Sequence, residues 1–241
     1  MRKQEATSGM YPSIGMLRPA LIFFFRTMQT EWLKFKKYPH IGKPLTSTKD
    51  SVWVENYVTN PEKIINHKFT PLLHRVITQR KFRPDENAAK NASGKRIRIA
   101  KEPKKRHIYY PSHLDSIIYS YYNNVLTKAY EEYVHDKEYS SVAVAYRKIP
   151  KSDVADGNKC NIEFAADAFQ FIMNNRHRKL SVIIADITSF FDNLDHRILH
   201  KQWKMGMGVE DLPLDHYRIY KNLVDYKYVN EDDLFNRFKH K

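Results

Sequence analysis

Helical periodicity dominates the first half of the chain. Apolar residues recur at steps of three or four from Pro19 to Tyr38, from Pro61 to Lys81 and from Ser112 to Tyr133, which predicts three amphipathic helices. A serine followed three residues later by an acid, Ser112 and Asp115, resembles a capping box at the start of the third helix. We expect an apolar stripe on this helix to face the core, and the stripe consists of Leu114, Ile117, Ile118, Tyr121, Tyr122, Val125, Leu126, Ala129, Tyr130 and Tyr133.

A different pattern begins at Leu180–Ala185, a short apolar run rich in β-branched residues. Such a run predicts a buried strand. The run ends at Asp186, and a carboxylate at the exit of a buried strand is costly unless it is solvated, paired or bound to a metal. Asp186 is therefore either an ordinary acid that caps a turn or a metal ligand.

The residues after this acid predict a turn and then a helix. We expect Phe190 to lie in the core. Asp192 and Asp195 are expected to serve as turn and helix-capping residues, because carboxylates favour the free N–H groups of a helix N-terminus. Gly206 and Gly208 are expected to end that helix.

Three further segments carry helix signals. Asn161 can cap a helix over Ile162–Met173, and another helix is expected to open at His216. The adjacent acids Asp232 and Asp233 invite comparison with a catalytic pair, but we interpret them as the acidic first turn of a helix capped by Asn230.

The most basic stretch is Lys95–Arg106, which holds seven basic residues and one acid. Isoleucine and arginine alternate at its start, which is strand periodicity. Glu102-Pro103 can turn the chain, and His107–Tyr110 can run back, so the sequence predicts a two-stranded hairpin covered with cations. Upstream of it, residues Phe82–Gly94 lack periodicity and are expected to form a surface loop. The hairpin is either a solvated charged surface or a contact for a polyanion.

Overall charge favours a polyanionic partner. The chain has 241 residues, a formal net charge of +14 and a pI of about 9.6, and Lys or Arg contacts to phosphates release counterions. Charge alone does not separate nucleic acid from an anionic membrane. No apolar run is long enough to span a bilayer, and the single cysteine, Cys160, excludes an intrachain disulfide framework. These features predict a cytoplasmic protein without a membrane partner.

The segment Ala185–His196, ADITSFFDNLDH, resembles the palm motif of reverse transcriptases. The resemblance implies that Asp186 and the backbone carbonyl of Ile187 hold catalytic Mg²⁺. It also implies that Phe191 lies beneath the sugar of the incoming nucleotide, although Phe190 could form that wall instead, with Phe191 in the core.

The basic hairpin resembles the fingertips of the same family, where a Lys and an Arg clamp the triphosphate of the dNTP. The family pattern maps onto Lys101, Arg106 and Pro111, although the Lys could equally be Arg98 or Lys104.

Other phrases resemble the bacterial reverse transcriptases of phage defence. The phrase SHLDSIIYSYYNNVL (Ser112–Leu126) has Ser116 where group II intron enzymes carry an Arg. AYRKIP (Ala145–Pro150) and GNKCNIEFA (Gly157–Ala165) resemble the same branch. The resemblance places Arg147 near the template and the nucleotide.

Taken together, the resemblance implies an α+β right-hand polymerase. Residues 1–93 would form a helical extension and the start of the fingers, 94–178 the fingers, and 179–241 the first part of the palm. The YxDD acids of the family are absent from these 241 residues, so we expect the chain to be an N-terminal portion of a longer enzyme.

The implied activity is RNA-directed DNA synthesis from dNTPs with Mg²⁺ in bacterial antiviral defence. The implied partners are an RNA template or noncoding RNA, the DNA product and other copies of the chain in a homo-oligomer. Two alternatives remain open: a group II intron or retron reverse transcriptase, and an inactive reverse-transcriptase-like module that binds RNA or oligomerises.

Overall fold

The computed structural model describes residues 31–86, 88–151 and 157–239. These residues form an α+β fold with seven α-helices and one three-stranded sheet. The chain divides into two compact units, which are described separately below. The first unit comprises residues up to Asn124 together with those from Leu214 onward, and the second comprises Val125–Pro213.

The first unit contains the sheet and most of the helices. In chain order the elements are α1 (Ser47–Val58), α2 (Pro61–Ile65), β1 (Leu72–Pro84), β2 (Arg98–Tyr110), the first half of α3 (His113–Asp136), α6 (Leu214–Val224), β3 (Tyr228–Asn230) and α7 (Glu231–Phe238). The second unit contains the remainder of α3, then α4 (Asn161–Asn174), a 3₁₀-helix (Phe190–Asn193) and α5 (His196–Gly206).

The sheet has the strand order β2-β1-β3. β1 and β2 are antiparallel, with Leu73 opposite Tyr110 and Pro84 opposite Arg98. β3 runs parallel to the start of β1 on its other edge. Long strands β1 and β2 therefore make an extended hairpin arm, and only its base is flanked by a third strand.

The helix predicted over Pro61–Lys81 is wrong beyond its first turn and a half. The helix α2 ends at Ile65, and β1 begins at Leu72. Pro71 lacks a backbone N–H and disfavours a helical conformation in the residue before it, which separates the two elements. The β-branched residues that follow Pro71 then pair with β2, a partner that helical periodicity does not reveal.

The hairpin predicted within Lys95–Tyr110 is wrong, and a different hairpin takes its place. Residues Arg98–Tyr110 form the single strand β2, with no turn at Glu102-Pro103, and this strand pairs with β1. The ladder is irregular between Gln79 and Lys81, opposite Pro103, where a proline without an N–H is tolerated. The surface loop predicted over Phe82–Gly94 begins later than expected, because β1 continues to Pro84.

The strand predicted over Leu180–Ala185 is not formed. These residues have no regular secondary structure, and Ile183 and Ile184 are almost fully exposed. A strand requires a neighbour that takes up its backbone N–H and C=O groups, and no described residue pairs with this segment. The composition of the run is therefore that of a buried strand, while its surroundings in the described part of the chain do not bury it.

The N-terminal helix predicted over Pro19–Tyr38 lies mostly outside the described residues. The part that is described, from Glu31 to Tyr38, is not helical. Pro39 follows directly and disfavours a helical Tyr38. Trp32 is buried, and its ring meets Tyr121 edge to face at 5.0 Å.

The predicted helices of the remaining chain are confirmed with small shifts. The Ser112 hydroxyl accepts a hydrogen bond from the Asp115 backbone N–H at 3.1 Å and so caps α3. Helix α4 starts one residue before the predicted start, with Cys160 at its N-cap position. Helix α5 ends at Gly206, and Gly208 has a left-handed φ of 65°. Helix α7 opens with the acids Glu231, Asp232 and Asp233, as predicted.

The core of the first unit joins helices α1, α2, α3 and α6. Fully buried side chains come from each of them, namely Val54, Val58, Ile64, Ile117, Ile118 and Ile219. The apolar stripe predicted for α3 is thus confirmed in its first half, although Tyr130 in the second half is exposed. Within the described part of the chain, no helix combines the length and apolar character needed to cross a membrane.

A buried polar network lies within this core. The Asp115 carboxylate accepts hydrogen bonds from His67 Nε2 at 2.8 Å, the Thr70 N–H at 3.1 Å and the Thr70 hydroxyl at 2.7 Å. His67 Nδ1 lies 2.9 Å from the Tyr57 hydroxyl. The Arg218 guanidinium donates to the His67 carbonyl at 2.8 Å. One carboxylate thus ties the α2–β1 connection to α3, and Asp115, which the sequence assigned to a cap, also has this second role.

Replacing Asp115 with alanine should lower the free energy of unfolding by about 3 kcal/mol, because one buried donor of His67 and two partly buried donors of Thr70 lose their acceptor. Urea unfolding followed by circular dichroism measures the change. Asp136→Ala, which removes an exposed acid at the end of the same helix, is the control and should leave the midpoint unchanged. Equal midpoints for the two variants would contradict the role of Asp115.

Candidate active site

Asp186 lies in an exposed segment of the second unit. The backbone from Ser181 to Ile187 has no regular secondary structure, and the Asp186 side chain is exposed. Among the described residues, none donates a hydrogen bond to its carboxylate or forms an ion pair with it. Asp186 therefore does not cap a turn in the described part of the chain, since no backbone N–H there donates to its carboxylate.

The residues after Asp186 form a tight turn held by Asn193. Ser189 adopts a left-handed conformation (φ 51°, ψ 44°) and its carbonyl accepts from the Asp192 backbone N–H at 3.0 Å. The Asn193 side-chain amide donates to the carbonyls of Thr188 at 3.3 Å and Ser189 at 3.1 Å. Sequence reasoning missed this role of Asn193, although Asn is a common residue for local side-chain bonds to turns.

Asp195 starts helix α5, as predicted. Its carboxylate accepts from the backbone N–H groups of Arg197 at 2.8 Å and Ile198 at 3.2 Å. The hydrogen bonds from Ile198 and then Arg197 lower the pKa of Asp195 below its usual value. Within the motif, the side chains of Asn193 and Asp195 therefore bind backbone groups of the turn and of helix α5.

Phe190 and Phe191 are both exposed. Phe191 is 69% exposed and Phe190 is 45% exposed, so the prediction that Phe190 lies in the core is wrong. Their rings meet each other edge to face at 5.2 Å. Phe191 is presented five residues after Asp186 at the end of the turn, where a ligand can reach it.

The described residues do not assemble a metal site. No group of three or more His, Cys, Asp or Glu side chains gathers anywhere within residues 31–86, 88–151 and 157–239. Asp186 and the carbonyl of Ile187 are adjacent hard oxygen ligands, which suits Mg²⁺, an ion that often takes one or two carboxylates together with substrate phosphates. The chain thus fits Mg²⁺ bound through Asp186 only if further ligands join it.

Arg147, the third predicted nucleotide ligand, forms an ion pair in the second unit. Its guanidinium donates to the Glu131 carboxylate through Nε at 2.9 Å and Nη2 at 2.7 Å, and to the carbonyls of Ser140 at 3.0 Å and Ala143 at 2.7 Å. The hydrogen bonds from the Arg147 guanidinium to the carboxylate lower the pKa of Glu131 below its usual value. In this conformation Arg147 holds a turn against helix α3, and its contact with a nucleotide stays a prediction.

The predicted triphosphate ligands of the hairpin lie in the first unit. Lys101 and Arg106 are both exposed on β2, where they lie opposite Lys81 and Ile77 of β1. With no turn between them, five residues of strand separate the two side chains by about 16 Å. One triphosphate therefore does not reach both cations in this conformation.

A different set of cations gathers near the irregular part of the hairpin. A shallow concavity is lined by Lys81, Arg83, Lys101 and Lys104, with Glu102 as its one acid. Lys81 and Arg83 were not among the predicted ligands, because the sequence reading placed this segment in a helix and a loop. The pairing of β1 with β2 places Lys81 opposite Lys101 and Arg83 two residues farther along β1.

Comparisons with protein-family models and with curated proteins assign no family to this chain. No protein-family model matches the chain, and no curated protein matches it either.

Proposed function

We propose that this chain carries the fingers and the first part of the palm of an RNA-directed DNA polymerase, a reverse transcriptase of the bacterial phage-defence type. The observation that carries the proposal is the segment Ala185–His196, in which an open carboxylate, Asp186, precedes a turn that presents Phe191. Asn193 and Asp195 have local structural roles, whereas the side chains of Asp186 and Phe191 are exposed and available for a ligand.

Each part of the proposed site has an assigned task. Asp186 and the carbonyl of Ile187 bind Mg²⁺ together with the phosphates of the dNTP. Bound Mg²⁺ would supply charge neutralisation on the triphosphate and activation of the primer hydroxyl. Phe191 contacts the sugar, and the exposed cations of the β1–β2 hairpin contact the triphosphate or the nucleic-acid backbone. Nucleotidyl transfer requires further carboxylates beside Asp186, which the described residues do not supply.

Primer extension tests the proposal directly. An RNA template with an annealed DNA primer, dNTPs and Mg²⁺ should give a DNA product in the presence of the intact protein that contains this sequence. Omission of Mg²⁺ should abolish the product. A protein that binds the template but extends no primer under any divalent cation would favour the second candidate, an inactive RNA-binding module.

The second candidate rests on one observation. Within the described residues Asp186 joins no group of three or more His, Cys, Asp or Glu side chains, whereas an active polymerase needs more than one carboxylate. A group II intron or retron enzyme differs from the main proposal in its RNA partner, so co-purification of a structured noncoding RNA would identify that alternative.

Arg106→Ala should raise the apparent KM for dNTP about tenfold, because it removes a charge-assisted hydrogen bond to the triphosphate. Steady-state incorporation at varied dNTP concentration measures the change. Arg237→Ala, which removes an exposed arginine from α7, is the control and should leave KM unchanged.

The salt dependence of nucleic-acid binding gives a second measurement on the same hairpin. Neutral replacements of Lys101 and Lys104 should reduce the slope of log K against log salt by up to about two, one for each lost phosphate contact. An unchanged KM in Arg106→Ala together with an unchanged slope in the lysine variants would make this hairpin an ordinary solvated surface.

A further inference from the structure

Five aromatic rings gather on one face of the sheet in the first unit. In β1 and β2, His74 lies opposite Tyr109, and Val76 lies opposite His107. Tyr228 of β3 lies opposite Leu72, two residues before His74 and therefore on the same face. Tyr226 precedes β3, and its ring centroid lies 5.5 Å from that of Tyr109. The strand register thus places side chains from all three strands in one cluster.

The rings contact each other in an ordered way. His74 stacks on Tyr109 at 4.7 Å with an interplanar angle of 22°, and on His107 at 5.1 Å with an angle of 5°. Tyr228 meets both His74 and Tyr109 edge to face at 5.3 Å. We call these five residues, His74, His107, Tyr109, Tyr226 and Tyr228, the ring cluster.

Hydrogen bonds fix the orientation of the two imidazoles. His74 Nδ1 donates to the Asn230 side-chain oxygen at 2.7 Å, because that oxygen can only accept. His74 Nε2 lies 2.9 Å from His107 Nδ1, so a neutral His74 accepts there and His107 donates. Hydrogen bonds to Asn230 and between the two imidazoles thus fix the side chains of His74 and His107. Side chains that are already fixed lose less conformational entropy when a ligand binds.

Exposure distinguishes this cluster from a core. Tyr226 is 44% exposed, Tyr228 is 51% exposed, and His107 and its neighbour Val76 are exposed as well. A set of pre-arranged aromatic rings open to solvent is costly for a surface without a partner. Stacking with nucleobases is one interaction that uses such π surfaces, and it is tolerant of sequence because every base has a π face.

The surrounding charge favours a polyanion on one side of the cluster. Lys105 is the next residue of β2 on the same face beyond His107 and lies opposite Thr78. Farther along, the hairpin carries the cations of the basic stretch. On the other side, α7 places Asp232 and Asp233 near His74, while Glu231 is paired with Arg75. A phosphate backbone would therefore run from the tyrosines toward Lys105 and away from α7.

We infer that the ring cluster is a binding platform for unpaired bases of a single-stranded nucleic acid, with Lys105 as a contact for its phosphates. This inference goes beyond the polymerase proposal and does not depend on it, since strand binding is measured without nucleotide incorporation. Arg106 lies opposite Ile77, on the alternate face of the strands, so the platform is a different surface from the proposed triphosphate contact.

Fluorescence anisotropy with labelled oligothymidylate and oligouridylate of about 12 nucleotides tests the platform, a length within the usual site size. The double variant Tyr226→Leu, Tyr228→Leu should weaken binding about tenfold or more, because it removes two stacking rings. The double variant to Phe keeps both rings and should bind within about twofold of the wild type. Tyr217→Leu, which removes an equally exposed tyrosine from α6 (45%), should have no effect.

An abasic strand of the same length separates stacking from charge. It carries the phosphates without the bases, so the wild type should bind it more weakly, and the Leu double variant should bind it no differently from the wild type. His107→Leu provides an independent exposed position if the tyrosine variants fail to fold, which circular dichroism reports.

Three results would overturn the inference. One is unchanged affinity of the Leu variants for oligothymidylate and oligouridylate. Another is an equal loss of affinity for the abasic strand, which would assign the effect to structure or charge. A third is a change in the sedimentation mass of the Leu variants without a change in strand affinity, which would make this face an interface between copies of the chain.

Discussion

Replacing Asp186 with asparagine should reduce dNTP incorporation at least about a thousandfold in the intact protein that carries this sequence. The substitution keeps the size of the side chain and removes its negative charge, so Mg²⁺ loses a charged ligand. Bound Mg²⁺ lowers the energy of the transition state by several kcal/mol, and that stabilisation would be lost with the ion. The structure adds that the carboxylate has no partner among the described residues, so the change should cost little stability. Primer extension and a thermal melt of the same preparation measure the two effects.

Asp192→Asn provides the matched control for this experiment. Asp192 lies six residues later, in the 3₁₀-helix, and is also exposed, and we assign it to the turn. Its replacement should change incorporation by no more than a few-fold. Incorporation by Asp186→Asn at the level of the Asp192 control would remove Asp186 from the catalytic site. Binding of Mn²⁺ to the two variants, measured by water-proton relaxation, should separate them as well, without requiring turnover.

The parts of the fold that the sequence predicted correctly are those set by local interactions. Helix α3 carries a long stripe of apolar residues and a serine at its start, and the buried Ile117 and Ile118 together with the Ser112 cap confirm both features. Asp195 at the start of α5 is a similar case, because a cap depends on residues two or three positions away. Such features can be derived from a short window of sequence.

The largest errors in secondary structure concern strands, since a strand requires a neighbouring strand to pair with. Val76 and Ile77 satisfy a helical spacing as well as a strand composition, and only the pairing with His107 and Arg106 decides between them. Leu180–Ala185 shows the opposite error, because its composition predicts a buried strand and the described residues offer it no partner. Long-range pairing is therefore the information that the local pattern lacks.

The same limit applies to the candidate site. Asp186, Ile187 and Phe191 fall within one short segment, so a motif was enough to select them. The cations of the hairpin are brought together by the register of two distant strands, which is why Lys81 and Arg83 were missed. Arg147 was assigned to the nucleotide, and its ion pair with Glu131, sixteen residues away, was not foreseen.

Replacing Phe191 with alanine should raise the ratio of ribonucleotide to deoxynucleotide incorporation about 10- to 100-fold, the range that a small steric difference in a binding pocket supports. In the proposed site the ring lies beneath the sugar, where a 2′-hydroxyl would collide with it and find no hydrogen-bond partner. Because Phe191 is 69% exposed, its removal should not cause the loss of roughly 3–5 kcal/mol expected for a fully buried phenylalanine.

Phe190→Ala is the matched control, since the two rings are adjacent in sequence and in contact with each other. Incorporation of rNTPs and dNTPs is compared for the wild type and both variants on the same primer and template. A changed ratio in Phe191→Ala alone assigns the sugar contact to Phe191, and a changed ratio in Phe190→Ala alone moves it one residue back. An unaltered ratio in both variants, with both proteins folded, would mean that neither aromatic lies against the nucleotide and that the turn after Asp186 does not form the sugar pocket.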